Sequence, residues 1–438
     1  MNSAPASTLV PARGSRGTGA ALGTVLLAWA ACSTVVQAQS VLMQPPPVDV
    51  TPPALREFRA SQSGEPLPEG EEVSRDLSRW MPPWQAGPLT LRPHFDANYS
   101  YATGLLTSGG EPGSTTTFQL APGLLFQLGT HWTLDYTPNL VWFSNNNFQN
   151  QVDQNLALNG WGAYEDWIFS LSLGLSSSSE PQVQTGGTQT QQTSASTALG
   201  ASCRLNSKVS VDLGLSQTYQ SAQDNQSIQG LQTYWQWSTM DWLNYQFWPR
   251  FNAGIGLGFS YVDVSSGSDM TSEQLQGRIV WRVTDKTSVN LHGGLNDLQS
   301  LTGGVPPLLS PVYGLSVTTR IGARTTLSLN ADQTVSPSYF ENQVTEYRSV
   351  GLRLSQALAK KLSLSLGGDY NIANYSSTAS NVSANSAYNY ASFTARLTYA
   401  IIKRGSISAS YQFSDNVSNQ PGLSFTSNQI GFELAYNF

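Results

Sequence analysis

From Asn428 to the last residue the chain alternates without a break. Ile430, Phe432, Leu434, Tyr436 and Phe438 share one parity, while Gln429, Gly431, Glu433, Ala435 and Asn437 share the other. Successive side chains of a strand point to opposite faces, so this stretch has one apolar face and one small or polar face. A soluble strand ending a chain in this way would be an exposed edge, open to pairing with other chains. A closed transmembrane barrel removes that edge, with lipid on the apolar face, the lumen on the other, and the first strand as neighbour.

The same two-residue rhythm recurs from Leu89 onward. Leu89, Leu91, Phe95, Ala97, Tyr99 and Tyr101 oppose Arg92, His94, Asp96 and Asn98. Clean repeats follow over Phe118–Leu128, Trp132–Trp142, Trp167–Leu175, Val209–Leu215 and Phe251–Tyr261, and others continue to the C-terminus. Between Leu231 and Trp242 aromatics occupy both parities, which predicts a bulge. The stretches number about 18, within a range of roughly 16 to 18, and each is long enough to cross an outer membrane when tilted.

Their connections alternate too. Short turns at Gly129-Thr130-His131, Tyr164-Glu165-Asp166, Asn206-Ser207-Lys208, Thr284-Asp285-Lys286, Gly322-Ala323-Arg324, Ala359-Lys360-Lys361 and Lys403-Arg404-Gly405 are interleaved with longer polar loops. Outer-membrane barrels have short periplasmic turns and long outer loops. The predicted fold is therefore all-β, an antiparallel up-and-down transmembrane barrel. Its backbone groups can be satisfied in hydrocarbon only by closure.

Composition agrees. Charged residues are 11% of the chain, against about 25% in a soluble protein, yet no mature segment offers about 18 continuous apolar residues for a spanning helix. The net charge of −6 gives no basic face for nucleic acid. Two cysteines and three histidines leave little material for metal or redox chemistry, and no cofactor is expected.

Residues 1–38 read as a signal peptide: Arg13 and Arg16 precede an apolar run from Ala20 to Ala31, and Val36-Gln37-Ala38 offers a cleavage site. A lipoprotein anchored at Cys32 is the alternative, although Trp29 stands where such a cleavage box wants Leu. Residues 39–87 are rich in proline and acid and should be extended or disordered, either a periplasmic tether or a small plug. The barrel is expected over residues 88–438.

A barrel of this size has a lumen too wide for side chains to fill. Candidate pore-lining charges are Arg92, Asp96, Arg250, Arg278, Arg282, Arg320, Arg353 and Arg396. Arg250, Arg278 and Arg282 fall on neighbouring predicted strands, where they would form a basic ladder favouring anions or would pair with lumen carboxylates. Trp132, Trp167, Trp248 and Trp281 lie beside short turns and predict an aromatic girdle at the membrane boundary. Gly254, Gly256 and Gly258 predict a smooth or closely approached patch of inner wall rather than a phosphate loop. His94 and His292 have lumen parity but no nucleophile signature around them, so no catalytic residue is assigned.

The hairpin Leu120-Ala121-Pro122-Gly123-Leu124-Leu125-Phe126-Gln127, followed by Trp132-Thr133-Leu134-Asp135-Tyr136-Thr137-Pro138, resembles the outer-membrane β-barrel porin families, in particular the group found with exopolysaccharide biosynthesis genes. Leu434, Tyr436 and Phe438 likewise resemble the C-terminal signal for barrel insertion. The resemblance implies a location in the outer membrane, contact with its lipid bilayer and with the barrel assembly machinery, and a channel for polar solutes. It also implies two alternatives: a conduit for exopolysaccharide with a periplasmic export partner, or a structural barrel without transport.

Overall fold

The structure, a computed structural model, describes residues 84–106, 112–179, 190–222, 231–302, 306–338, 340–379, 387–419 and 424–437. The expected signal peptide, most of the 39–87 segment and Phe438 lie outside these residues.

Nineteen strands follow in chain order. The first seven are β1 (Trp84–Ala86), β2 (Leu89–Leu106), β3 (Pro112–Leu128), β4 (Trp132–Phe143), β5 (Gln151–Tyr164), β6 (Trp167–Ser178) and β7 (Gln192–Arg204). The middle six are β8 (Val209–Ala222), β9 (Tyr234–Trp248), β10 (Phe251–Val264), β11 (Met270–Thr284), β12 (Thr287–Ser300) and β13 (Leu308–Ile321). The last six are β14 (Thr325–Pro337), β15 (Gln343–Ala359), β16 (Leu362–Ser377), β17 (Ala387–Ile402), β18 (Gly405–Ser418) and β19 (Phe425–Asn437).

Each of β2 to β19 pairs antiparallel with its chain neighbours, and β19 returns to β2 from Asn428↔Thr103 to Asn437↔His94. The result is a closed barrel of 18 strands. Closure leaves no unpaired edge along the membrane-crossing wall, which is what a sheet in hydrocarbon requires. The short β1 was not expected. It pairs with Leu89–Leu91 on the side of β2 where β19 has run out, after a turn at Gly87 in which a φ of +61° favours glycine.

The alternation sets the two faces. Ile255 and Leu257 are 65% and 64% exposed on the outside, and Tyr99, Phe169, Leu243, Phe393 and Phe432 share that surface. The opposite parity turns Ser100, Thr117, Asn244, Asn296, Asn371 and Asn416 inward, where they are buried.

The expected bulge in β9 is not there. Its register with β10 is regular from Val264↔Tyr234 to Asn252↔Gln246, and the shift falls beside the turn, between Phe251 and Asn252. The aromatics simply divide, with Trp235 and Trp237 exposed outside and Tyr234 and Trp242 buried inside. An interruption lies instead between β8 and β9, in the gap between Asp212↔Trp242 and Leu215↔Thr239. There Gly214 N–H donates to Oδ1 of Asp241 at 3.3 Å.

At the end with the long connections, β14 parts from β13. Their ladder begins at Tyr313↔Gln333, whereas β14 stays with β15 as far as Pro337↔Val344. The same register would next bring Pro311 into the ladder, and proline has no N–H to give. The Gln333 side chain closes this point by donating from Nε2 to Pro311 O at 2.9 Å.

Candidate functional site

More than half of the residues lining the lumen cavity carry neutral hydrogen-bonding side chains. A cavity of about 1110 Å³ lies inside the β6–β14 wall. It reaches from Asn206, Lys208 and Arg250 at the short-turn rim to Tyr234, Thr334 and Ser336 deeper in. Between these ends it is lined by residues such as Ser196, Gln236, Ser238, Gln274, Gln276 and Asn290. Even-numbered positions of β9, β10 and β11 face it because strand side chains alternate.

A hydrogen-bonded network on this wall draws side chains from four strands, β7, β8, β9 and β11. Arg278 on β11 donates from Nη2 to Asp212 Oδ2 on β8 at 2.5 Å and from Nε to Asn244 Oδ1 on β9 at 2.9 Å. Asn244 Nδ2 donates to the same Asp212 oxygen at 2.7 Å, and Ser202 Oγ donates to Asp212 Oδ1 at 2.6 Å. The Arg278 guanidinium carbon also lies 4.2 Å from the Trp242 ring centroid. Arg278 and Asp212 side chains are only 11% and 6% exposed, so the ion pair is part of the wall.

The strand between them makes this possible. On β10, a Cβ at Gly254 would stand 2.5 Å from Asn244 Oδ1, one at Gly256 2.6 Å from the Trp242 ring and one at Gly258 2.8 Å from Met240 Cε. The glycines leave room for side chains from β9 to lie flat. The device recurs: the His94 ring covers Gly123 and the His292 ring covers Gly314.

Of the two alternatives for these arginines, Arg278 and Arg250 show pairing with carboxylates rather than a basic ladder. Arg278 is spent on Asp212, while Arg250 stands in the β9–β10 turn and pairs with Asp285 of the next short turn at 2.7 Å. Only Arg282, near the end of β11, remains of the three on a strand beside the rim. Elsewhere, Arg396 on β17 donates from Nη1 to Glu433 Oε2 on β19 at 2.9 Å, with Asp96 on β2 close enough to feel both charges. Arg353 on β15 lies within electrostatic reach of Asp369 on β16. Arg92 on β2 has Arg404 of the β17–β18 turn as its charged neighbour, and Arg320 lies near the short-turn end of β13.

His94 has an arrangement that superficially suggests acid–base chemistry. Its Nε2 lies 2.9 Å from Thr137 Oγ1 and 3.6 Å from Asp135 Oδ1. A relay needs the acid on one ring nitrogen and the nucleophile on the other. Here both meet the same nitrogen, and the hydroxyl itself donates to Asp135. The cluster is a polar joint between β2 and β4 across Gly123. Among the described residues, no group of three or more His, Cys, Asp or Glu side chains could hold a metal, and the one described cysteine, Cys203, is buried and free.

The tryptophans divide by position. Trp132 and Trp167 open β4 and β6, Trp248 closes β9, and Trp281 lies near the end of β11, all beside short turns. Trp132, Trp248 and Trp281 are exposed on the outside, and Trp167 stacks on outward Phe169 at 6.0 Å. Of the expected C-terminal signal, Leu434 is exposed and Tyr436 sits in the β18–β19 ladder opposite Gly405.

Two apolar clusters inside the end with the long connections were missed from sequence. Tyr347, Ala373, Tyr388, Tyr390 and Phe425 form one, and Tyr234, Val262, Val264, Met270, Leu298 and Val344 the other. A signal for the second existed in Val262, Val264 and Met270, which break the polar run on the lumen parity of β10 and β11.

Residues 307–438 match the family described as "Putative beta-barrel porin 2". No curated protein matches the chain significantly. Among solved structures, OccK2 (OpdF) of Pseudomonas aeruginosa in complex with glucuronate is similar with 10% identity and a TM-score of 0.43, covering 80% of this chain and 98% of that one. OpdO of the same organism shows 9% identity and a TM-score of 0.43 over 80% and 97% of the two chains. OccAB2 of Acinetobacter baumannii shows 10% and 0.43 over 80% and 98%.

Proposed function

We propose that this outer-membrane barrel is a channel for polar solutes, and that it favours uncharged, hydroxyl-rich ones. The observation that carries the reading is the lumen wall: more than half of the residues lining its cavity bear an amide or a hydroxyl, and the Arg278–Asp212 and Arg396–Glu433 pairs remove charge from it. A solute of many hydroxyls can trade water for such a wall at little cost, since each lost hydrogen bond is replaced. An anion finds few uncompensated cations to receive it. The porin family match over the last third of the chain supports the channel itself.

In this reading Trp132, Trp167, Trp248 and Trp281 sit at the periplasmic lipid boundary, where amphipathic rings settle. Leu434, Tyr436 and Phe438 then carry the address read by the barrel assembly machinery. Residues 1–38 serve as the signal peptide, and the 39–87 segment, in its part up to the start of β1, serves as a periplasmic tether. Channels of this kind carry no catalytic residues, and none is assigned here.

Liposome swelling tests the proposal. Neutral mono- and disaccharides should enter proteoliposomes faster than sugar acids of equal size, and absence of swelling with either class would remove it. A second reading, a conduit linked to exopolysaccharide export, draws on the same hydroxyl-compatible wall. Gene deletion separates the two, because surface polysaccharide should fall under export and stay unchanged under simple diffusion. A purely structural barrel would give no conductance in planar bilayers.

A further inference from the structure

We infer that the tip of the β14–β15 hairpin is a gate that closes the outer mouth of the lumen, hinged where β14 leaves β13; the inference rests on the channel reading. The hinge is the break above Tyr313↔Gln333, where Pro311 cannot continue the ladder and one side-chain bond from Gln333 replaces it. Beyond that break the tip turns inward and reaches strands on the far side of the cavity. Phe340 forms an isolated antiparallel bridge with Leu231, and Gln232 Nε2 donates to Ser338 O at 2.7 Å, 106 residues away in sequence.

The seat is apolar. Val344 belongs to the outward parity of β15, with Val350 and Leu352, yet it is 1% exposed among Tyr234, Val262, Val264, Met270 and Leu298. Those partners face inward from β9 to β12. An outward-parity residue can meet them only if the tip has swung across the mouth. The lumen cavity ends at Thr334, Val335 and Ser336 of the same hairpin, which therefore forms its roof. On the other side Phe340 meets the Tyr375 ring edge-on at 6.2 Å, and Asn342 O accepts from Thr378 N at 2.8 Å.

The seat is also imperfect, as a contact built to release would be. Gln232 Oε1, Asn296 Oδ1, Thr334 Oγ1 and Thr378 Oγ1 are buried there without a protein partner. Buried acceptors in that state favour any arrangement that returns them to water. Apolar seating of Val344 and the two tethers to Leu231 and Gln232 oppose this. The balance of the two gives a roof that can be open or shut.

A reversible lock tests the gate. Partners in an antiparallel bridge lie about 4.5–5.5 Å apart at Cα, within the span a disulfide accepts. Leu231→Cys with Phe340→Cys, made in the full chain with Cys203→Ser, should form one when oxidised. Planar-bilayer conductance should drop at least several-fold on oxidation and return on reduction, while Val344→Asp, checked for folding by its heat-dependent gel shift, should raise the open fraction. Equal conductance of the oxidised and reduced forms, with the disulfide confirmed by mass, would overturn the gate and leave the channel standing. No conductance in any of these proteins, Val344→Asp included, would overturn the channel reading and the gate together.

Discussion

The guanidinium of Arg278 rests 4.2 Å from the centre of the Trp242 ring, and the ring lies where Gly256 of the intervening strand has no side chain. Glycine is used here for space, since its backbone is ordinary strand and no positive φ is involved. Replacing Gly256 with Val should displace the indole and loosen the Arg278 seat. The expected cost is about 1–3 kcal/mol, the usual range for overpacking, read as a lower urea midpoint for the refolded barrel. An unchanged midpoint would mean that Trp242 has another place to go.

The ion pair behind that ring should behave as a buried one. Arg278→Met alone leaves Asp212 charged and enclosed, and should cost about 3–5 kcal/mol. Asp212→Asn on top of it should recover most of the loss, because the stranded charge is then gone. Costs that simply add would show that the two side chains do not act together.

Selectivity should respond at the second pair. Arg396→Gln leaves Glu433 and its neighbour Asp96 facing the lumen without their cation. The reversal potential in a salt gradient should move toward cation preference. No movement would place β17, β19 and β2 away from the path that ions take.

Asp241 is an exception on the outer wall. It is exposed there between Trp235 and Trp237 on one side and Tyr245 and Phe247 on the other, and its carboxylate serves the unpaired Gly214 N–H. Asparagine would keep that acceptor and remove the charge. Charge on a lipid-facing wall is destabilising, less so for acids than for Arg or Lys, so Asp241→Asn should stabilise the barrel in lipid by roughly 1 kcal/mol. A lower stability would indicate that the carboxylate meets a cation or water.

The wall of the barrel was readable because a membrane sheet is repetitive. A two-residue period, Ser and Gln facing Leu and Phe, sorts nearly every strand from Leu89 onward, and turns such as Lys360-Lys361 mark one end. Arg250 was misplaced into the wall because the aromatic run from Tyr245 to Phe251 reads as continuous and hides its two-residue turn. Trp242 faces inward, and the sequence carries a signal for it in Gln236, Ser238, Asn244 and Gln246, which share its parity. The swing of Val344 was not legible at all. Its parity is right for lipid, and only the parting of β14 from β13, a tertiary event, brings it inside.

One small strand has a larger consequence. Because Trp84–Ala86 occupies the flank of β2 that β19 does not reach, the first and last described parts of the chain lie end to end along the same seam. Whatever the preceding residues do begins beside the carboxy-terminal strand, on the lip with the short turns. Completing the cylinder thus requires its two ends to arrive together, and a ligand that held the upstream segment would be pulling on the stitch that shuts the wall.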